Sequence, residues 1–136
     1  MTEEVCVPIH AEPDIVTARR CGREMAESLG FAGTDLTLIS TAISEITRNI
    51  VRYAGHGEVV FWTEAEAGRN ALVVQARDQG PGIADLRLAM QDGYSTGRGL
   101  GLGLPGARRL MDVFDIKSEL GKGTVVTLKK WKQDSR

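Results

Sequence analysis

Four groups of residues in this chain have side chains or backbone freedom suited to chemistry. Glu45 and Asn49 lie four apart within a run of helical apolar spacing, so they stack on one face of a helix. That places a carboxylate able to take a proton beside a neutral amide oxygen able to ligate Mg2+. Taken alone, such a pair is more commonly a solvated helix edge. Asp78-x-Gly80-x-Gly82 comes straight off a β-rich run. A carboxylate there accepts hydrogen bonds from a base amino group, and the glycines let a flat ring approach the backbone. A tight turn with an aspartate cap uses the same residues.

The third group is the stretch from Gly97 to Gly106, which holds five of the chain's 16 glycines. A glycine inside regular structure costs about 0.5–1 kcal/mol relative to alanine, so such density needs a use. Backbone N–H groups near a helix start can cradle an anion, which makes a phosphate site the first reading and a flexible surface loop the plain one. The fourth is Gly121-x-Gly123-Thr124, a turn into the last β-rich run.

Two familiar fingerprints fail on context. Gly101-x-Gly103-x-x-Gly106, with Glu119 at the ribose offset, matches a dinucleotide loop in spacing. No strand precedes it, however, and too little chain follows for a doubly wound sheet. Gly121-Lys122-Gly123-Thr124 lacks the adjacent Gly-Lys-Ser/Thr of a phosphate-binding P-loop, and the motifs of eukaryotic-type protein kinases are missing.

The elements that must position these groups follow from periodicity. Val5 to Ile9 reads as a short edge strand, since it contains Pro8. A helix enters at Glu12-Pro13-Asp14 and ends at Gly30. A second begins near Thr34-Asp35 and carries the stripe Leu36, Ile39, Ile43, Ile46, Ile50 and Tyr53, with Gly55 and Gly57 ending it. Glu45 and Asn49 lie at the flank of that stripe, roughly 80–120° from its centre at about 100° per residue. Strands over 58–64 and 70–77 follow, joined by a hairpin at 65–69. The segment 84–96 is weakly patterned. After the glycine run comes a helix to about Met111, then strands over 113–119 and 124–131. The order β-α-α-β-β-α-β-β predicts an α+β, two-layer sandwich: a mixed sheet with helices on one face.

Composition narrows the classes. The chain has 136 residues, a length suited to one domain, with ordinary apolar (42%) and charged (26%) content. Seventeen basic and 18 acidic residues give a net charge of −1, which offers no bulk attraction to nucleic acid or anionic lipid. The acidic start lacks a signal-peptide pattern, and no apolar run approaches a membrane span, so a cytoplasmic location is expected. Cys6 and Cys21 form no metal motif and read as buried, reduced thiols; with His10 and His56 the only histidines, zinc is not expected.

Taken together and in this order, Glu45-x-x-x-Asn49, Asp78-x-Gly80-x-Gly82, Gly99-x-Gly101-x-Gly103 and Gly121-x-Gly123-Thr124 resemble the four boxes of the Bergerat-fold (GHKL) ATPases. The segments Thr41 to Glu45, Arg48-Asn49-Ile50, Tyr53-Ala54-Gly55, Asp78 to Ile83, Asp92 to Thr96 and Gly103 to Gly106 are similar to the bacterial switch kinases that govern sigma factors by phosphorylating small STAS-domain proteins. The resemblance spans nearly the whole chain. It implies a single GHKL-type domain over residues 1–136, with the Bergerat form of the sandwich.

The same resemblance implies the site. Asn49 would ligate Mg2+, and Glu45 would be the base that draws the proton from the partner's hydroxyl. Asp78 would hold the adenine amino group, with Gly80, Gly82 and Ile83 shaping the pocket and Thr124 supporting the adenine side. Gly99, Leu100, Gly101, Leu102 and Gly103 would wrap the phosphates of ATP, Arg98 would reach the γ-phosphate, and residues 84–98 would form a lid. The implied activity is an ATP- and Mg2+-dependent serine/threonine kinase of the stressosome. Its implied partners are RsbS-like and RsbR-like STAS proteins, with an RsbU-like phosphatase and a weak homodimer as further expectations. The rivals are an anti-sigma factor that sequesters a sigma factor, a histidine-kinase catalytic domain cut from a larger protein, and a nucleotide-gated module without turnover. Neither His10 nor His56 sits in a phosphoacceptor helix, and Glu45 argues against loss of turnover.

Overall fold

The computed structural model describes residues 4–80 and 103–132. In chain order the elements are β1 (Val5–Ile9), α1 (Pro13–Ser28), α2 (Thr34–Asn49), a π-helical turn (Ile50–Ala54), β2 (Gly57–Glu66), β3 (Arg69–Asp78), α3 (Gly103–Leu110), β4 (Val113–Glu119) and β5 (Gly123–Trp131). The α+β two-layer arrangement is as expected.

The sheet has the order β1-β2-β3-β5-β4, and each neighbouring pair is antiparallel. This corrects the expected mixed sheet. β3 and β4 do run parallel, as a strand–helix–strand passage favours, but they never pair. β5 folds back from β4 as a hairpin and occupies the place between them.

Alternation along each strand decides which face meets the helices. Val7, Ile9, Val59, Phe61, Leu72, Val74, Ala76, Val126 and Leu128 form one core with Ile39, Ile43, Ile46 and Ile50 of the helical layer. Phe61 is fully buried there, a burial worth about 1.5–3 kcal/mol. α1 packs on α2 through Ala18, Gly22 and Ala26, all buried at four-residue spacing. A Cβ on Gly22 would overlap Ile43 Cδ1 and come within 2.8 Å of Phe61 Cε1. α1 ends in a Schellman motif: Gly30 takes a positive φ of 98°, its N–H donates to the Glu27 carbonyl, and the Phe31 N–H reaches the Ala26 carbonyl.

Three local expectations change. Tyr53 leaves the apolar stripe and is 46% exposed. The helix widens after Asn49, with the Gly55 N–H donating to the Ile50 carbonyl five residues back; each residue then turns through a smaller angle, and Tyr53 rotates off the buried line. The β2–β3 turn is two residues long, Ala67 and Gly68, both with positive φ, as a type I′ hairpin requires. Cys6 is exposed and Cys21 half-buried, both as free thiols, because Cys6 falls on the strand face turned away from the helices.

Candidate functional site

The site is built where the end of α2, the end of β3 and the start of β5 meet. Gly57, Asp78, Thr124 and Ser118 stand in one cross-strand row over β2, β3, β5 and β4. Directly paired residues share a face, so Asp78, Thr124 and Ser118 all project toward the helical layer. Thr124 is buried, and its hydroxyl lies 2.8 Å from that of Ser118. The Gly80 N–H donates to Asp78 Oδ1 at 2.9 Å. The loop after β3 is thereby pinned to the aspartate, and among the described residues no hydrogen bond engages Oδ2.

Two glycines permit this closeness. Gly123 has a φ of 108°, and a Cβ there would overlap the Asp78 carbonyl oxygen and come within 2.7 Å of Gln79 Cα. Only a residue without a side chain lets β5 begin against the end of β3. At Gly80 a Cβ would lie 2.7 Å from Ala54 Cβ and 2.9 Å from its Cα. The π-helical turn therefore presses on the loop after Asp78. By that contact the end of α2 that carries Asn49 is held beside the aspartate loop. Wide helical turns of this kind often occur at functional positions.

Glu45 and Asn49 are both partly buried, as a flank position requires. The Glu45 side chain is only 12% exposed, and its Oε1 accepts a hydrogen bond from Arg48 Nη1 at 2.7 Å. α3 packs alongside α2, and Ala107 of α3 and Met111 just after it lie in the core. Gly82, Ile83, Arg98, Gly99, Leu100, Gly101 and Leu102 lie outside the described residues, as does the expected lid over 84–98. Of the predicted set, the described structure brings Asp78, Gly80 and Thr124 together and joins them to the Asn49 end of α2. Ser118, Gly57, Ala54 and Arg48 belong to the same region and carry no site role in the sequence reading. Arg48 alone had a readable signal, its spacing of three from Glu45.

The donor set can be tested against the groups that the fold would hold. Among the described residues no three His, Cys, Asp or Glu side chains cluster as a metal cage. An ion held here would take one or two oxygen ligands from the chain and the rest from phosphates and water, which is how Mg2+ is usually bound. For the base, a carboxylate with one oxygen unengaged among the described residues, paired across the strands with the Thr124 hydroxyl, suits a flat ring bearing an amino group.

A family model for histidine kinase-, DNA gyrase B- and HSP90-like ATPases matches residues 34–134. The chain belongs to that family. Its members here include a serine/threonine-protein kinase, RsbT of Bacillus subtilis, 50% identical over 131 residues that cover 96% of this chain and 98% of the relative. An anti-sigma F factor of Clostridium kluyveri is 32% identical over 100 residues, or 71% of this chain and 70% of the relative. A crystal structure of the RsbU and RsbW domains of a Mycobacterium tuberculosis protein covers 100% of this chain and 34% of its own, with a TM-score of 0.64 at 21% identity. It shares the fold. Within this ATPase family the chain is a serine/threonine-protein kinase, and ATP is its nucleotide. Among the described residues no helix is long and apolar enough to cross a membrane.

Proposed function

We propose that the chain, as one kinase domain over residues 1–136, phosphorylates a serine or threonine of STAS-domain partners resembling RsbS and RsbR, with Mg2+ as its metal. The observation that carries this reading is the row in which Asp78 faces Thr124, pinned through Gly80 to the turn that follows Asn49. It supports a purine site at one end of α2, and Glu45 lies one helical turn before Asn49 on the same helix.

Asp78 Oδ2 accepts the adenine amino hydrogen, while the Thr124 hydroxyl, steadied by Ser118, lies on the adjoining side. Asn49 would supply its amide oxygen to Mg2+. Glu45 takes the proton of the incoming hydroxyl. When bound, MgATP would supply the phosphoryl group, with ADP leaving on the electron pair of the broken bond, and Mg2+ would offset phosphate charge. Catalysis of this kind is positioning plus charge stabilisation. The protein's part is therefore to hold a carboxylate, an amide and backbone N–H groups in place.

The test is incubation with MgATP and purified RsbS-like and RsbR-like proteins, followed by mass spectrometry. Phosphoserine or phosphothreonine on a STAS protein is the expected result. ATP turnover or binding with no modified STAS protein would overturn the partner assignment. A second reading has a specific observation behind it, the anti-sigma F factors at 29–33% identity. In that case the chain would also sequester a sigma factor. Co-purification with a sigma factor in the presence of ATP separates the two.

A further inference from the structure

Among the described residues Arg48 is the charged group in contact with Glu45, and the contact has a geometry with consequences. The pair lies at i,i+3 on α2, with Nη1 2.7 Å from Oε1. Arg48 is 37% exposed in its side chain and Glu45 12%. A half-exposed pair of this sort adds little to stability. The core beneath α2 is made by Leu36, Ile39, Ile43, Ile46 and Ile50, none of which needs the pair. Yet a glutamate has three rotatable bonds, and a base must be placed to within about 0.5 Å to work. A single end-on contact to Oε1 restrains the carboxylate, and among the described residues Oε2 has no hydrogen-bond partner. A guanidinium suits this task because it is planar and always charged.

We propose that Arg48 is a positioning residue for phosphoryl transfer: it holds Glu45 by Oε1 so that Oε2 meets the acceptor hydroxyl. This rests on the reading of Glu45 as the base. The proton passes from the hydroxyl to Oε2, and Arg48 neither gains nor loses one. Arg48 is thus set apart from Asn49 and Asp78, whose assigned partners are metal and nucleotide.

The experiment compares R48A, R48K and E45Q in the full chain with MgATP and a STAS substrate. R48A is expected to lower kcat about tenfold or more, within the about 10²–10⁴-fold that a general base supplies. KM for the STAS protein and the dissociation constant for ATP should stay within about twofold, since the proposed role of Arg48 acts through Glu45 alone. R48K should recover part of kcat, and added methylguanidinium should raise the rate of R48A but not of E45Q. In nucleotide-free protein, the carbon NMR signal of the Glu45 carboxylate should move in R48A. If R48A does not fold, R48Q serves in its place. Wild-type kcat in R48A, or a loss that neither lysine nor methylguanidinium relieves, would overturn the proposal. E45Q at the wild-type rate would instead overturn the base reading, whereas an inactive E45Q beside a fully active R48A removes only the role of Arg48.

Discussion

Asp78 and Thr124 stand directly opposite each other on β3 and β5, on the side of the sheet that faces the helices. Each belongs to a different sequence motif, 46 positions apart by their numbering, and the antiparallel register alone makes them neighbours. Thr124 is backed by Ser118, and Asp78 by the Gly80 amide. The aspartate is therefore held from its own loop on one oxygen, and among the described residues nothing bonds the other.

Asp78→Asn keeps an oxygen for the Gly80 N–H but loses the charge, and it can turn a donor toward the ligand. ATP affinity should fall by about 10- to 100-fold, the range for a lost hydrogen bond to a charged group. The melting temperature should change little. Nucleotide titration of the folded variant checks this, and unchanged affinity would remove Asp78 from the base pocket.

Gly80→Ala drives a methyl group onto Ala54 Cα and Cβ. Because the π-helical turn and the Asp78 loop must then separate, nucleotide binding should weaken, with a stability cost of about 1–3 kcal/mol. Ala54→Gly in the same chain frees the space at Cβ and should return part of both. Denaturant unfolding and ATP titration of the single and double variants provide the check.

Gly22→Ala tests the helix layer without touching the site. The new methyl would meet Ile43 Cδ1 and Phe61, both fully buried, so a loss of about 1–3 kcal/mol is expected. Ile43→Val removes Cδ1 and should recover part of that loss in the double variant. Equal losses in the presence and absence of Ile43 Cδ1 would show that the overlap is not the cause.

Asp14 gives a pH-dependent prediction. Its Oδ2 accepts hydrogen bonds from the His10 and Ala11 backbone N–H groups at 2.8 and 3.1 Å, and these hold its carboxyl below the usual aspartate range. A carboxyl depressed in the folded state contributes stability in full above its unfolded value of about 3.9, and loses it as pH falls through the folded value. Asp14→Asn should therefore melt below wild type at neutral pH. The gap should close in strong acid, as thermal unfolding at several pH values will show.

Much of this arrangement was legible from residue order. The stripe from Leu36 to Ile50 is the buried line of α2, and the Gly30 stop is a true left-handed cap. Periodicity gave no warning of the π-helical turn. A single widened turn shifts one residue, Tyr53, and leaves every residue before it in phase. The antiparallel sheet was also hidden, since hydrophobic pattern does not reveal that β5 inserts between β3 and β4. The same applies to the site. Asp78 and Thr124 could be named as motif members, but their pairing depends on strand order. Ser118 sits in an alternating strand like its neighbours, and only the register shows it beside Thr124.

The most direct measurement is phosphoryl transfer by Glu45→Ala, with ATP binding determined on the same preparation. Glu45, the proposed base, lies on the flank of α2 and is not part of the Asp78–Thr124 row. The variant should bind ATP with near wild-type affinity and transfer no detectable phosphate to the STAS protein. Wild-type transfer rates from a Glu45→Ala chain that still binds ATP would contradict the account.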